Sequence, residues 1–240
     1  MCTLTWSRAG GRLAVLVNRD ERRTRRRALP PRREVRDGVR IVRPVDGDHG
    51  GSWIAANEHG VIVALLNGDS APPAPRAPDA PSRGWIVRAL AAADSAAAAI
   101  ERFDALEIDR FAPFYLAVFG GPEGPDRLVV WTGDALERKV LRREDRPLVS
   151  SVLERARVHA WRRALFARVA GGREPTLERL ESFHRSHEPE PGPLSVCMHR
   201  PEAETVSLTV VLVDRRQVVM RYEGDAPCRH APVVTVRIER

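Results

Sequence analysis

Cys2 is the residue of this sequence best suited to chemistry. It follows the initiator methionine in a Met-Cys-Thr context, where methionine aminopeptidases generally remove Met1. Removal would leave a thiol and a free α-amine on one residue. The amine, with a pKa of about 7.7–8.0, can take the thiol proton directly or through water, so nucleophile and base arrive together. Asn18-Arg19-Asp20-Glu21 supplies companions. An arginine there would lower the thiol pKa, and an aspartate would orient the amine as the third group of a triad. Taken singly, Cys2 reads equally as a small apolar residue opening a strand, and the tetrapeptide as a solvated charged turn.

A second set of donors lies near the other end. Cys197-Met198-His199 and Cys228-Arg229-His230 repeat a Cys-x-His spacing, with His184-x-x-His187 nearby. On a strand, residues i and i+2 share a face, so each pair could offer sulfur and nitrogen to a metal or a haem iron. The spacing matches no standard zinc pattern, and strand cysteines are usually inert core residues, so the expectation is no metal. Trp53, Trp85, Trp131 and Trp161 read as core or helix-packing residues, or as the wall of an apolar pocket.

The elements that must position Cys2 begin at once. Thr3 to Trp6 and Arg12 to Asn18 read as two strands around a tight turn at Ala9-Gly10-Gly11, which brings Asn18 to Asp20 back beside the N-terminus. Further strands are expected at 39–42, 52–56, 61–66, 114–119, 128–131, 138–141, 194–198, 206–213, 218–222 and 233–238. A Pro-rich surface loop is expected over 69–82, bordering a site. Ser82 is the expected N-cap of a helical stretch to about Phe103, broken near Asp94-Ser95. A second helix should run from about Val152 to Ala170 on a stripe of Leu153, Ala156, Ala160, Leu165 and Val169, stopped by Gly171, and a third from Thr176 to about Ser186. This order predicts an α+β fold, two antiparallel sheets with helices outside, in one domain over 1–240.

Composition excludes several classes. No apolar run approaches the roughly 20 residues of a membrane span, no secretory signal is legible, and three scattered cysteines suit a reducing compartment, so a cytoplasmic protein is expected. The net charge of +7 is almost wholly arginine, Lys139 being the only lysine. The cluster Arg22 to Arg27 lacks interleaved aromatics, which argues for a solvated face or an anionic-ligand site and against a nucleic-acid groove.

Met-Cys-Thr, Asn18-Arg19-Asp20-Glu21, Gly50-Gly51-Ser52-Trp53 with Asn57-x-x-Gly60, and Ser82-Arg83-Gly84 occur in the order seen in the NRDE, or transport and Golgi organisation protein 2, family, which this sequence resembles over essentially its whole length. That family is similar to the cysteine N-terminal-nucleophile (Ntn) hydrolases of the penicillin V acylase and bile salt hydrolase group. The resemblance implies a four-layer αββα sandwich and hydrolysis or acyl transfer on a linear carbon–nitrogen amide. Cys2 would attack, Arg19 stabilise the thiolate, Asp20 orient the amine, and Asn67 give its backbone N–H to the oxyanion. Where the hydrolases have a later asparagine, this sequence reads Pro147-Leu148-Val149-Ser150-Ser151, which puts Ser151 in that place with a shorter side chain. No cofactor is required on this reading, and the partner is a small-molecule amide or acyl donor. The alternative is a carrier of haem, acyl-CoA or another lipid-like ligand, with His199 and Cys228 as residues to test for haem.

Overall fold

A computed structural model describes residues 2–69, 80–122 and 124–240. The first hairpin joins β1 (Cys2–Ala9) to β2 (Arg12–Arg22). Its two-residue turn, Gly10-Gly11, has φ of +59° and +69°, the left-handed pair that lets strands of native twist pair closely. The chain then forms β3 (Leu29–Arg36), β4 (Val39–Val45), β5 (Ile54–Asn57) and β6 (Ile62–Asn67). Helices α1 (Gly84–Leu90) and α2 (Ala96–Asp104) precede β7 (Phe114–Phe119), β8 (Arg127–Trp131), β9 (Leu136–Val140) and β10 (Leu148–Ser150). Then come α3 (Arg155–Ala170), α4 (Leu177–Arg185), β11 (Ala203–Val213), β12 (Gln217–Glu223) and β13 (Val233–Glu239).

The strands make two antiparallel sheets, ordered β10-β1-β2-β11-β12-β13 and β3-β4-β5-β6-β7-β8-β9. Alternation along each strand sends one set of side chains between the sheets and the other set outward. On β2, Leu13, Val15 and Val17 enter the core between the sheets, while Ala14 and Leu16 meet Leu165, Phe166, Leu180 and Phe183 of α3 and α4. The outer face of the second sheet packs on α1 and α2 through Val63, Leu65, Ile86, Leu90 and Phe103. The result is the expected α+β sandwich of four layers. Each fully buried Leu or Phe contributes about 1.5–3 kcal/mol to it.

Two strands were absent from the sequence reading. β3, with Pro30, Pro31 and three arginines, carries no apolar alternation because it is a mostly exposed edge, and β10 is only three residues long. The strand expected at Leu194 to Met198 is an irregular segment, since its backbone carbonyls serve buried side chains and not a ladder. Ser95, not Ser82, caps a helix: its hydroxyl accepts from the Ala98 N–H at 3.1 Å, and α1 starts at Gly84 without a side-chain cap. Positions 70–79 of the expected Pro-rich loop lie outside the described residues. Gly51 and Gly84 touch backbone to backbone; a Cβ on Gly51 would stand 2.7 Å from the Gly84 carbonyl carbon, and Ser52 N–H donates to Gly84 O at 3.1 Å. That contact ties α1 to the start of β5 and gives both glycine motifs a structural reason.

Candidate functional site

Cys2 opens β1 in register with Arg19 of β2 on one side and Ser150 of β10 on the other. Directly opposed residues of an antiparallel ladder point the same way, so these three side chains face the space between the sheets. Thr3, Asn18 and Asp20 face α3 and α4. The Cys2 backbone N–H donates to Ser150 Oγ at 3.1 Å. Burial pushes the Cys2 thiol up; the positive amino terminus and the Asp20 backbone N–H oppose this, and the Asp20 carboxylate adds to it.

Asp20 is itself buried. Its Oδ1 accepts from Thr205 Oγ1 at 2.7 Å, while Oδ2 lies 3.7 Å from Arg162 Nη1 and has no hydrogen-bond partner among the described residues. Burial raises the Asp20 carboxyl, against the pull of Arg162, the amino terminus and Thr205. Arg162 comes from the middle of α3 with its side chain 0% exposed. It donates to Thr3 Oγ1 and to the Ser195 carbonyl, both at 2.6 Å, so a full guanidinium sits behind the strand pair that carries Cys2 and Asp20. Neither Arg162 nor Thr205 has a spacing signal in the sequence. The helical stripe expected on α3 was displaced for this reason: the buried face is Val158, Arg162, Leu165, Phe166 and Ala170, and a charged residue holds its central position.

The guanidinium of Arg19 is committed away from the thiol. It lies 4.5 Å over the Trp53 ring, pairs with Asp46, and reaches Glu21 at 3.3 Å. It is also absent from the main influences on the Cys2 thiol, among which the amino terminus is the largest that lowers it. Trp53 is thereby part of a wall between the sheets, with Tyr222 at 6.3 Å. A pocket of roughly 220 Å³ opens beside Arg19, lined also by Arg22, Arg25, Arg26, Val206 and Tyr222. Arg25 is neutralised by Glu21, Asp46 and Asp48, whereas Arg22 and Arg26 have no carboxylate partner among the described residues.

Asn67 ends β6 opposite Phe114, and β6 runs against β1 and β10 across the inter-sheet space. Ser150, not Ser151, is the serine facing Cys2. Ser151 is buried beside it, its hydroxyl donating to Leu153 O at 2.6 Å and its N–H to Asp69 Oδ1 at 2.7 Å. Asp69 gathers a second polar centre that the sequence reading missed. Its Oδ2 accepts from Tyr115 at 2.7 Å and lies 3.2 Å from Arg155 and 3.4 Å from His159. Burial would raise this carboxyl, but the contacts to His159, Tyr115 and Ser151 outweigh it and hold Asp69 low; burial and Asp69 push Tyr115 up to about 12.

The Cys-x-His pairs are only partly realised. Cys197 and His199 meet Cys228 and His187, while His230 stays exposed in a left-handed conformation. His184 is a structural residue, bonded to Thr5 Oγ1 at 2.8 Å and Asn18 Oδ1 at 3.1 Å; burial, with Arg162 and Arg185, lowers its pKa to about 3. Among the described residues no helix is long and apolar enough to cross a membrane.

Solved structures share this architecture. Penicillin V acylase from Agrobacterium tumefaciens superposes with a TM-score of 0.57 at 11% identity, over 98% of this chain and 86% of its own. The C2A mutant of conjugated bile acid hydrolase from Clostridium perfringens gives 0.54 at 12% identity, over 98% and 92%. The Caenorhabditis elegans orthologue of N-acylethanolamine-hydrolyzing acid amidase gives 0.58 at 14% identity, over 88% and 92%. At such identities the likeness establishes the Ntn-hydrolase fold. No curated protein matches the chain significantly. Residues 1–141, which carry Cys2, the Asn18 to Glu21 segment and both glycine motifs, match the model of Transport and Golgi organisation 2, and the chain belongs to that family.

Proposed function

We propose that this chain is a cysteine Ntn amidohydrolase or acyltransferase acting on a linear amide, with Cys2 as nucleophile after removal of Met1. One observation carries the reading: a buried carboxylate oxygen, Asp20 Oδ2, has no hydrogen-bond partner among the described residues, on the residue that follows the Cys2 partner Arg19. A free α-amine at Cys2 would supply the missing donor, which is the orienting role expected of Asp20. With its thiol pushed up by burial, Cys2 is not a resting thiolate, and the amine must take the proton as attack proceeds.

Sulfur then bonds to the carbonyl carbon while the proton passes through the α-amine to the departing nitrogen. The C–N bond breaks, leaving an acyl thioester and a free amine. Water or an acceptor amine attacks the thioester and returns the thiol. Asn67 would give its backbone N–H to the oxyanion, a contribution of about 2.7–4 kcal/mol in comparable sites. The unpaired Arg22 and Arg26 at the neighbouring pocket favour a substrate with an anionic group.

The test is intact mass and acyl trapping on the full chain with anionic N-acyl amides. Loss of Met1, a mass increase equal to the acyl group on the Cys2 peptide, and turnover reduced to background in Cys2→Ala are expected. Turnover that persists in Cys2→Ala would sink the mechanism. A carrier on the same scaffold is the second reading, favoured by the raised Cys2 thiol; it predicts ligand affinity unchanged in Cys2→Ala.

A further inference from the structure

We infer that His187, Cys197, His199 and Cys228 form a closed structural site for one zinc(II) ion, independent of the chemistry at Cys2. The four donors come from separate stretches: His187 from just beyond α4, Cys197 and His199 from the irregular segment ahead of β11, and Cys228 from the single 3-10 turn between β12 and β13. All lie beyond residues 1–141 that match the family.

The distances from His199 Nε2 are those of a coordination shell. His199 Nε2 is 3.2 Å from His187 Nε2 and 3.5 Å from each of Cys197 Sγ and Cys228 Sγ, and all four donors lie within 4.8 Å of one another. A tetrahedral zinc with Zn–N of about 2.0–2.1 Å and Zn–S of about 2.3 Å has edges of roughly 3.3 Å for N–N, 3.6 Å for N–S and 3.8 Å for S–S. Hydrogen bonding cannot account for the same arrangement. A ring nitrogen carries one proton or one lone pair, yet three groups converge on His199 Nε2, so at most one of these approaches is an ordinary hydrogen bond. A cation between them satisfies all three.

The donor chemistry selects the ion. Two thiolates and two neutral imidazoles suit zinc and repel hard magnesium or calcium, and four protein ligands close the shell, as structural sites do. On binding, the two thiols release their protons to solvent, and two thiolate charges balance the dication. Glu204 Oε2 lies 3.7 Å from His199 Nδ1 and is held by Arg23 and Arg229, a carboxylate placed to orient that imidazole.

The ion would also fasten a strap that the site needs. Between the two ligands Cys197 and His199, the Met198 N–H donates to Thr205 Oγ1 at 2.8 Å, and Thr205 holds Asp20; the Ser195 and Val196 carbonyls accept from Arg162 and Asn18. This segment lacks strand pairing apart from one bridge, His199 to Glu204, so a cross-link at its end would replace the ladder it does not have.

The full chain, purified with its thiols reduced and without chelator, should contain about one zinc per chain by plasma mass spectrometry and native mass spectrometry. Cys2→Ala and His230→Ala should keep it, and the double variant His199→Ala, Cys228→Ala should lose it. Because that variant could fail to fold, chelator-treated wild-type chain should also be titrated with cobalt(II) under anaerobic conditions. Thiolate-to-cobalt charge transfer with intense tetrahedral ligand-field bands is expected. A weak octahedral spectrum, no uptake of either metal, a Cys197–Cys228 disulfide in the purified chain, or zinc retained by the double variant would each overturn the assignment.

Discussion

Arg162→Met tests the centre of this architecture, because it removes the guanidinium paired with Asp20 while roughly keeping side-chain length. The wild-type side chain is fully buried and spends its donors on Thr3, Ser195 and Leu194 as well as facing Asp20. Breaking one side of a buried pair costs about 3–5 kcal/mol, chiefly because the carboxylate left behind has neither water nor a counter-charge. At about 2–4 °C per kcal/mol for a chain of this size, the Tm should fall by roughly 6–20 °C. The pH dependence has a definite sign. Burial already raises Asp20 in the folded state, and loss of Arg162, the strongest opposing influence, raises it further. The folded variant then binds the Asp20 proton more tightly than the unfolded chain does, so its stability increases as pH falls from neutral through that raised value and levels off below the ordinary Asp pKa of about 3.9. Thermal melts of wild type and variant at several pH values read both effects. Adding Asp20→Asn to the variant should restore much of the loss, since the orphaned charge is gone. A variant melting within about 2 °C of wild type, or a deficit that grows as pH falls, would refute the reasoning.

His184, with its pKa lowered to about 3 against roughly 6.5 when unfolded, makes the folded state bind fewer protons between those values, so stability should fall by about 1.4 kcal/mol per pH unit as pH drops through that window. His184→Gln, which can keep bonds to Thr5 and Asn18, should flatten the acid limb of the unfolding curve; an unchanged limb would exclude His184 as its source. Asp69→Asn should bring Tyr115 down from about 12 toward the ordinary value near 10. With only two tyrosines in the chain, a spectrophotometric titration resolves this, and a curve identical to wild type would leave burial alone as the cause.

Local signals carried most of the fold. The β1–β2 hairpin was legible because Gly10-Gly11 is a turn that only left-handed residues make well, and that turn, with strict alternation on β1, sets Cys2 opposite Arg19. The split between α1 and α2, the stop at Gly171 and the closing strands followed from similar short-range chemistry. Where burial was reversed the sequence misled: exposed β3 lacks apolar alternation, and buried Arg162 sits where a helical stripe demands an apolar residue.

The sequence alone determined the nucleophile candidate, its companion segment and the layered fold, because each rests on residues close in the chain or on a period of two or 3.6. Tertiary structure decided what surrounds them. It set Ser150, and not Ser151, opposite Cys2 with its hydroxyl accepting from the Cys2 N–H, since pairing register and not residue type selects which serine faces inward. It committed Arg19 to Asp46, set Arg162 and Thr205 around Asp20, and drew His187 to Cys197, His199 and Cys228 in place of His230. These partners are separated by 10 to 185 positions, and only the closure of two sheets between two helical layers brings them within bonding distance.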